Sequence, residues 1–135
     1  MDEAAAIKGV SHLSLSVCDL DRSVAFYRDV LGLPVLSEPS DGEVFAGRQA
    51  MLLAGRVAVS LQAHDASDGT AFDPTRSGLD HLAFHVSSHE LLTPWVEHLD
   101  AAGVEHSGIK QVEGWGWMIE LRDPDGVQLE IFTTR

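Results

Sequence analysis

The sequence predicts an α+β fold of two tandem βαβββ modules whose sheets pair around a concave pocket. Three observations carry that expectation. First, Val10-Ser11-His12-Leu13-Ser14-Leu15-Ser16-Val17 lines up with Leu79-Asp80-His81-Leu82-Ala83-Phe84-His85-Val86, 69 positions later, and Val57–Gln62 lines up with Val127–Phe132 at an offset of 70. Second, all four segments alternate apolar with small or polar residues, the period-2 mark of a half-buried strand. Third, each opening strand is followed by a stretch with helical signals that ends on a glycine. A module of this size buries too little apolar surface to be stable alone, so two are expected to share one domain over residues 1–135.

Module one spans residues 7–63. Its first strand carries His12, Ser14 and Ser16 on one face and Leu13, Leu15 and Val17 on the other. A helix is expected from Asp19 to Leu31, with Asp19 or Asp21 as N-cap, Val24, Tyr27 and Leu31 on the buried side, and Gly32 as the stop. Residues 34–54 are turn-rich with short strand-like runs, and Val57–Gln62 closes the module. Residues 64–77, polar and broken by Gly69 and Pro74, read as a linker or lid. Module two, residues 78–134, repeats the plan. Its helix ends at Gly103, with Thr93 as cap and Pro94 at the first helical position. Its hairpin at Asp123-Pro124-Asp125-Gly126 fits a type I turn with a glycine bulge. That loop pairs Asp123 with Val127, Arg122 with Gln128 and Glu120 with Glu130; a two-residue turn would instead remove Glu120 from this face.

Composition excludes several classes. The chain has 135 residues and a formal charge of −12, which repels nucleic acid and anionic membranes. With 44% apolar residues it can build a core, yet no apolar run reaches bilayer length. The start Met1-Asp2-Glu3-Ala4 lacks the basic and apolar parts of a secretion signal, and a single cysteine, Cys18, supports no disulfide framework. A cytoplasmic protein acting on a small molecule is the expectation.

The faces of the aligned strands locate its site. One face is apolar throughout: Leu13, Leu15, Val17; Val57, Val59, Leu61; Leu82, Phe84, Val86; Val127, Leu129, Ile131. The other carries His12, Ser14, Ser16; Ala58, Ser60, Gln62; His81, Ala83, His85; Gln128, Glu130, Phe132. It is too uncharged for an open surface and too polar for a core, the profile of a partly enclosed ligand site. His12 and His81 occupy equivalent positions in the two modules, and Glu130 shares their face. Two imidazoles and a carboxylate form a set that binds Fe(II), Mn(II), Ni(II), Co(II) or Zn(II) with open positions for substrate. Glu120 opposite Glu130 places two carboxylates side by side, a repulsion that a cation, a shared proton or Arg122 would offset. Glu120 is therefore either a general base at this site or a surface carboxylate paired to Arg122 or Lys110. Ser14, Ser60, Gln62, His85, Met118, Arg122 and Phe132 complete the expected substrate face, with Trp115 and Trp117 as an aromatic wall. His64, His89, His98 and His106 lack same-face partners and read as surface residues.

The strand with His12, the stretch from Asp19 to Gly32, Leu79-Asp80-His81, and Arg122-Asp123-Pro124-Asp125-Gly126 leading to Leu129-Glu130 resemble the vicinal oxygen chelate superfamily over nearly the whole chain. That group includes glyoxalase I, extradiol dioxygenases, fosfomycin-resistance enzymes and bleomycin-binding proteins. The resemblance implies a divalent metal held by His12, His81 and Glu130, a substrate chelated through adjacent oxygens, and often a homodimer. The expected chemistry is then lyase- or isomerase-type proton transfer, with Glu120, from its place on the ligand face, as base; the alternatives are a ring-cleaving dioxygenase and a resistance protein that binds a drug or natural product without turnover. Ser60 stands where glyoxalase I has a fourth-ligand glutamate, with Gln62 the nearest polar alternative. Glu120 stands where dioxygenases and glutathione-transferring fosfomycin-resistance enzymes typically have tyrosine. Glu113-Gly114-Trp115-Gly116-Trp117-Met118 is aromatic where the fosfomycin-resistance enzymes are basic, which argues against a phosphonate substrate.

Overall fold

The computed structural model describes residues 5–135; residues 1–4, whose acidic start argued against a secretion signal, lie outside the described part. The chain divides into two units, the first ending at Ser67 and the second running Asp68–Arg135. The first contains β1 (His12–Ser16), α1 (Leu20–Ala25), β2 (Val35–Asp41), β3 (Gly47–Ala54) and β4 (Val57–His64). The second contains β5 (His81–His85), α2 (Leu92–Ala101), β6 (His106–Val112), β7 (Gly116–Arg122) and β8 (Gln128–Thr133). Each is therefore βαβββ. The sheet orders are equivalent, β1-β4-β3-β2 and β5-β8-β7-β6, with the opening strand parallel to the closing one and all other pairs antiparallel.

The first sheet forms as its alternation dictates. Leu15, Val17, Val59 and Leu61 are buried, and α1 packs against β3 and β4. Asp19 caps α1, its carboxylate accepting from the Arg22 N–H at 3.1 Å. The expected helix to Leu31 continues as a wider turn over Phe26–Val30, where the Leu31 N–H reaches back five residues to the Phe26 carbonyl. The widening still brings Tyr27 and Leu31 into the core, and Gly32, at φ +69°, ends the element.

In the second unit α2 lies against β6 and β7 and buries Leu92 and Leu99. Here the expected cap is corrected. A short 3₁₀ turn over His89–Leu91 leads directly into the helix at Leu92. Leu91 is thus the capping residue, and Thr93 and Pro94 sit inside the first turn, where the missing proline N–H has no partner to lose. The 123–126 hairpin closes as expected: Gly126 takes φ +84° and its N–H donates to the Asp123 carbonyl at 3.0 Å. The Asp123 carboxylate accepts from the Asp125 and Val127 N–H groups, both at 2.9 Å. Among the described residues, no helix is long and apolar enough to cross a membrane.

Candidate metal and substrate site

The hairpin geometry sets the register of the second sheet: Glu120 lies opposite Glu130, Arg122 opposite Gln128 and Met118 opposite Phe132. On the other side of β8, Ala83 pairs with Glu130, His81 with Gln128 and His85 with Phe132. Directly paired residues share a face, so Lys110 (opposite Met118), Met118, Glu120, Arg122, Gln128, Glu130, Phe132, His81 and His85 all stand on the side away from α2.

Within that face two ligand candidates meet. The His81 Nε2 lies 3.7 Å from a Glu130 carboxylate oxygen. Glu130 is buried, at 8% exposure, while the His81 ring is partly open. The His81 Nδ1–H donates to the Asp80 carboxylate at 2.6 Å, since a carboxylate can only accept. That bond fixes the tautomer and leaves Nε2 as the outward lone pair, the usual arrangement behind a metal-binding imidazole. The Asp80 hydrogen bond first, then the Glu130 charge, raise the His81 pKa above the ordinary imidazole range, against the opposing pull of partial burial. Gln128 adds a long amide contact to Glu130 at 3.4 Å.

The carboxylate repulsion is offset by a residue in sequence reach of the site. Lys110 Nζ donates to Glu120 Oε2, whereas Arg122 donates to the Gly126 carbonyl at 3.0 Å and braces the hairpin. The Glu120 N–H is held by the Ser107 hydroxyl at 2.9 Å, filling the gap that a bulge in β6 leaves in the ladder. A cavity of about 240 Å³ opens beside it, lined among others by Glu105, Ser107, Glu120, Arg122 and Gln128.

The aromatic wall is divided. Trp115, 69% exposed, has its ring 5.2 Å from Phe132, on the site's side of the sheet. Trp117 alternates to the opposite face, where it meets His89 edge-on at 4.9 Å; the structure does not bring it to the site. His106 is corrected too: its ring is largely buried, held between the Asp100 carboxylate at 2.9 Å and the Gly108 N–H at 3.0 Å.

In the first unit, β1 and β4 set His12 opposite Ala58, Ser14 opposite Ser60 and Ser16 opposite Gln62. His12 is exposed and its Nδ1 contacts the Ser11 hydroxyl at 3.1 Å, again leaving Nε2 outward. Ser14 is exposed, Gln62 half-buried and Ser60 buried. Among the described residues, no three His, Cys, Asp or Glu side chains are gathered into a metal-sized group.

The model of the Glyoxalase/Bleomycin resistance protein/Dioxygenase superfamily matches residues 9–131. Over 125 residues the chain is 31% identical to glutathione transferase FosA of Serratia marcescens, covering 93% of this chain and 80% of that protein. The glyoxylase/bleomycin resistance protein/dioxygenase domain from Frankia sp. EAN1pec superposes with a TM-score of 0.85 at 35% identity, over 96% of this chain and 100% of that one. A variant of the fosfomycin resistance protein FosX from Listeria monocytogenes, crystallised with Mn(II) and 1S,2S-dihydroxypropylphosphonic acid, shares the fold with a TM-score of 0.69 at 23% identity, over 94% and 93% of the two chains.

Proposed function

Because this chain belongs to the Glyoxalase/Bleomycin resistance protein/Dioxygenase superfamily, we propose that it is a metal-dependent enzyme acting on a small molecule with adjacent oxygens, by proton transfer of the lyase or isomerase kind. The observation that carries this reading is the Asp80–His81–Glu130 arrangement: an imidazole locked in one tautomer, its free nitrogen 3.7 Å from a buried carboxylate. A nitrogen and oxygen donor set of this kind suits Mn, Fe, Co, Ni or Zn, and His12 is the third proposed ligand. When bound, the cation supplies Lewis-acid polarisation of the substrate's oxygens.

The chain's own groups supply the rest. Glu120, on the same face as Glu130 and beside an open cavity, is placed to take a proton from a substrate carbon or hydroxyl. Lys110 donates to the Glu120 carboxylate and aims it, and Ser107 fixes its backbone. A homodimer in the cytoplasm is the setting we propose for this activity.

A second reading, modification of a phosphonate, has the resemblance to FosA and the phosphonate bound by FosX in its favour. Against it stand the aromatic 113–118 stretch and the engagement of Lys110 by Glu120. Incubation with fosfomycin and glutathione decides it: fosfomycin recovered unchanged sets the phosphonate reading aside. Oxygen uptake with catechols would mark a ring-cleaving dioxygenase instead, and tight binding of a drug without turnover a resistance protein.

The main reading is tested by elemental analysis of protein purified without chelator. His12→Ala, His81→Ala and Glu130→Ala should each reduce metal content at least about tenfold while the protein stays folded, whereas Glu120→Gln should retain its metal. Unchanged metal content in all three ligand variants refutes the proposal.

A further inference from the structure

We infer that the second unit carries an aromatic subsite, formed by Trp115 and Phe132, and that the oxygens bound beside it belong to a molecule with a conjugated or aromatic ring. The inference rests on the metal-site reading above and adds the substrate class.

The site's face changes character along β8. Gln128, Glu130 and Phe132 follow one another on it, each step about 7 Å along the strand. Around Glu130 stand His81 and Glu120; around Phe132 stand Met118 and, from the turn, Trp115. Ala83, opposite Glu130, adds only a methyl group, so the floor between the two ends is low. A ligand whose oxygens meet His81 and Glu130 would carry its next ring-length onto Phe132 and along the Trp115 indole. The two carboxylates nearby disfavour an anionic tail and tolerate a neutral ring.

Trp115 is held in place without being packed away. Its backbone N–H donates to the Val112 carbonyl at 3.0 Å, and Gly114 takes φ +74° to make that turn. Even so, the side chain is 69% exposed, giving up most of the gain from burying an indole. The hairpin's demand for apolar packing on the helix side is met two residues later by Trp117, against His89. In the corresponding turn of the first unit, Phe45, two residues before Gly47, lies on His64 with ring centroids 4.4 Å apart and is half-buried. Trp115 is thus a pre-positioned, open aromatic surface beside a polar site, the arrangement that binds a flat ring at small ordering cost.

The test uses two probes that present the same two oxygens, benzohydroxamate and acetohydroxamate, titrated calorimetrically into the Mn(II)-loaded protein and corrected for binding to free Mn(II). The expected result is about fivefold or more tighter binding of benzohydroxamate. Trp115→Ala should remove most of that preference while leaving acetohydroxamate affinity unchanged, which also shows the variant to be folded; Phe132→Leu should weaken it in the same direction. Equal affinities in the parent protein, or a preference kept intact in Trp115→Ala, overturn the subsite. If neither probe binds better with Mn(II) than in EDTA, the metal reading fails separately. Benzoate against acetate in EDTA then decides the subsite, a Trp115-dependent preference for the ring supporting it and equal binding refuting it.

Discussion

At the scale of single residues, the site depends on a contact that strand alternation hides. Successive strand residues point to opposite faces, so Asp80 and His81 are not expected to meet. Asp80 lies just before β5, where the chain is not yet in the ladder, and its carboxylate turns back to the His81 ring at 2.6 Å. Of the two partners the sequence offers Glu120, Lys110 takes the carboxylate and Arg122 does not; the bulge between His106 and Ile109 sets the register of β6 and with it the face Lys110 presents. The Asp80 bond has a measurable consequence. A group whose pKa is raised by folding adds stability below its unfolded pKa and loses it as pH rises through the folded one. For His81 in chelator-treated protein, that loss comes as pH rises above the ordinary histidine value. Asp80→Asn should therefore lower the His81 pKa, read by NMR titration of the ring protons in EDTA, and shrink this pH-dependent contribution. An unmoved pKa would show that Asp80 does not orient the ring.

At the scale of elements, the repeat extends to the backbone. Gly47 opens β3 and Gly116 opens β7, 69 positions apart. A methyl group at either would lie 2.1 Å from a carbonyl oxygen of the neighbouring strand, Ala63 or Thr133. Backbone cannot step aside as a flexible side chain can, so Gly116→Ala should cost about 1–3 kcal/mol and lower the melting temperature by several degrees. Gly126→Ala makes the contrast. It meets nothing within 4 Å and carries only the strain of φ +84°, about 1 kcal/mol. Comparing the two by thermal denaturation separates steric from conformational cost, and equal melting temperatures would contradict the close approach. Elements were read from sequence best where one signal dominated: the 123–126 turn chemistry yielded the Glu120–Glu130 register observed. The α2 start was missed because a 3₁₀ turn precedes Leu92 and takes over the capping role.

At the scale of the whole molecule, the proposed ligands are drawn from both modules, so a cation that bridges them should stabilise the folded chain by mass action. At a free metal concentration near one hundred times Kd the gain is about 2.7 kcal/mol, visible as a rise in melting temperature over EDTA-treated protein. Glu130→Ala should abolish that rise; a variant stabilised as strongly as the parent would place the metal elsewhere. The homodimer implied by the family should appear in light scattering as a mass of twice 14.6 kDa, and a mass of 14.6 kDa would rule it out.

The amino-acid order alone determined the duplicated βαβββ plan, the apolar and polar faces of each strand and the pairing across the last hairpin. All three follow from period-2 alternation and local turn chemistry, forces that act over a few residues. Tertiary structure decided which neighbours complete the polar groups: Asp80 behind His81, Lys110 rather than Arg122 on Glu120, Asp100 on His106. It also split the two tryptophans between opposite faces. Such partnerships depend on bulges, strand ends and helix packing that bring distant atoms within hydrogen-bond range, and no short-range pattern encodes them.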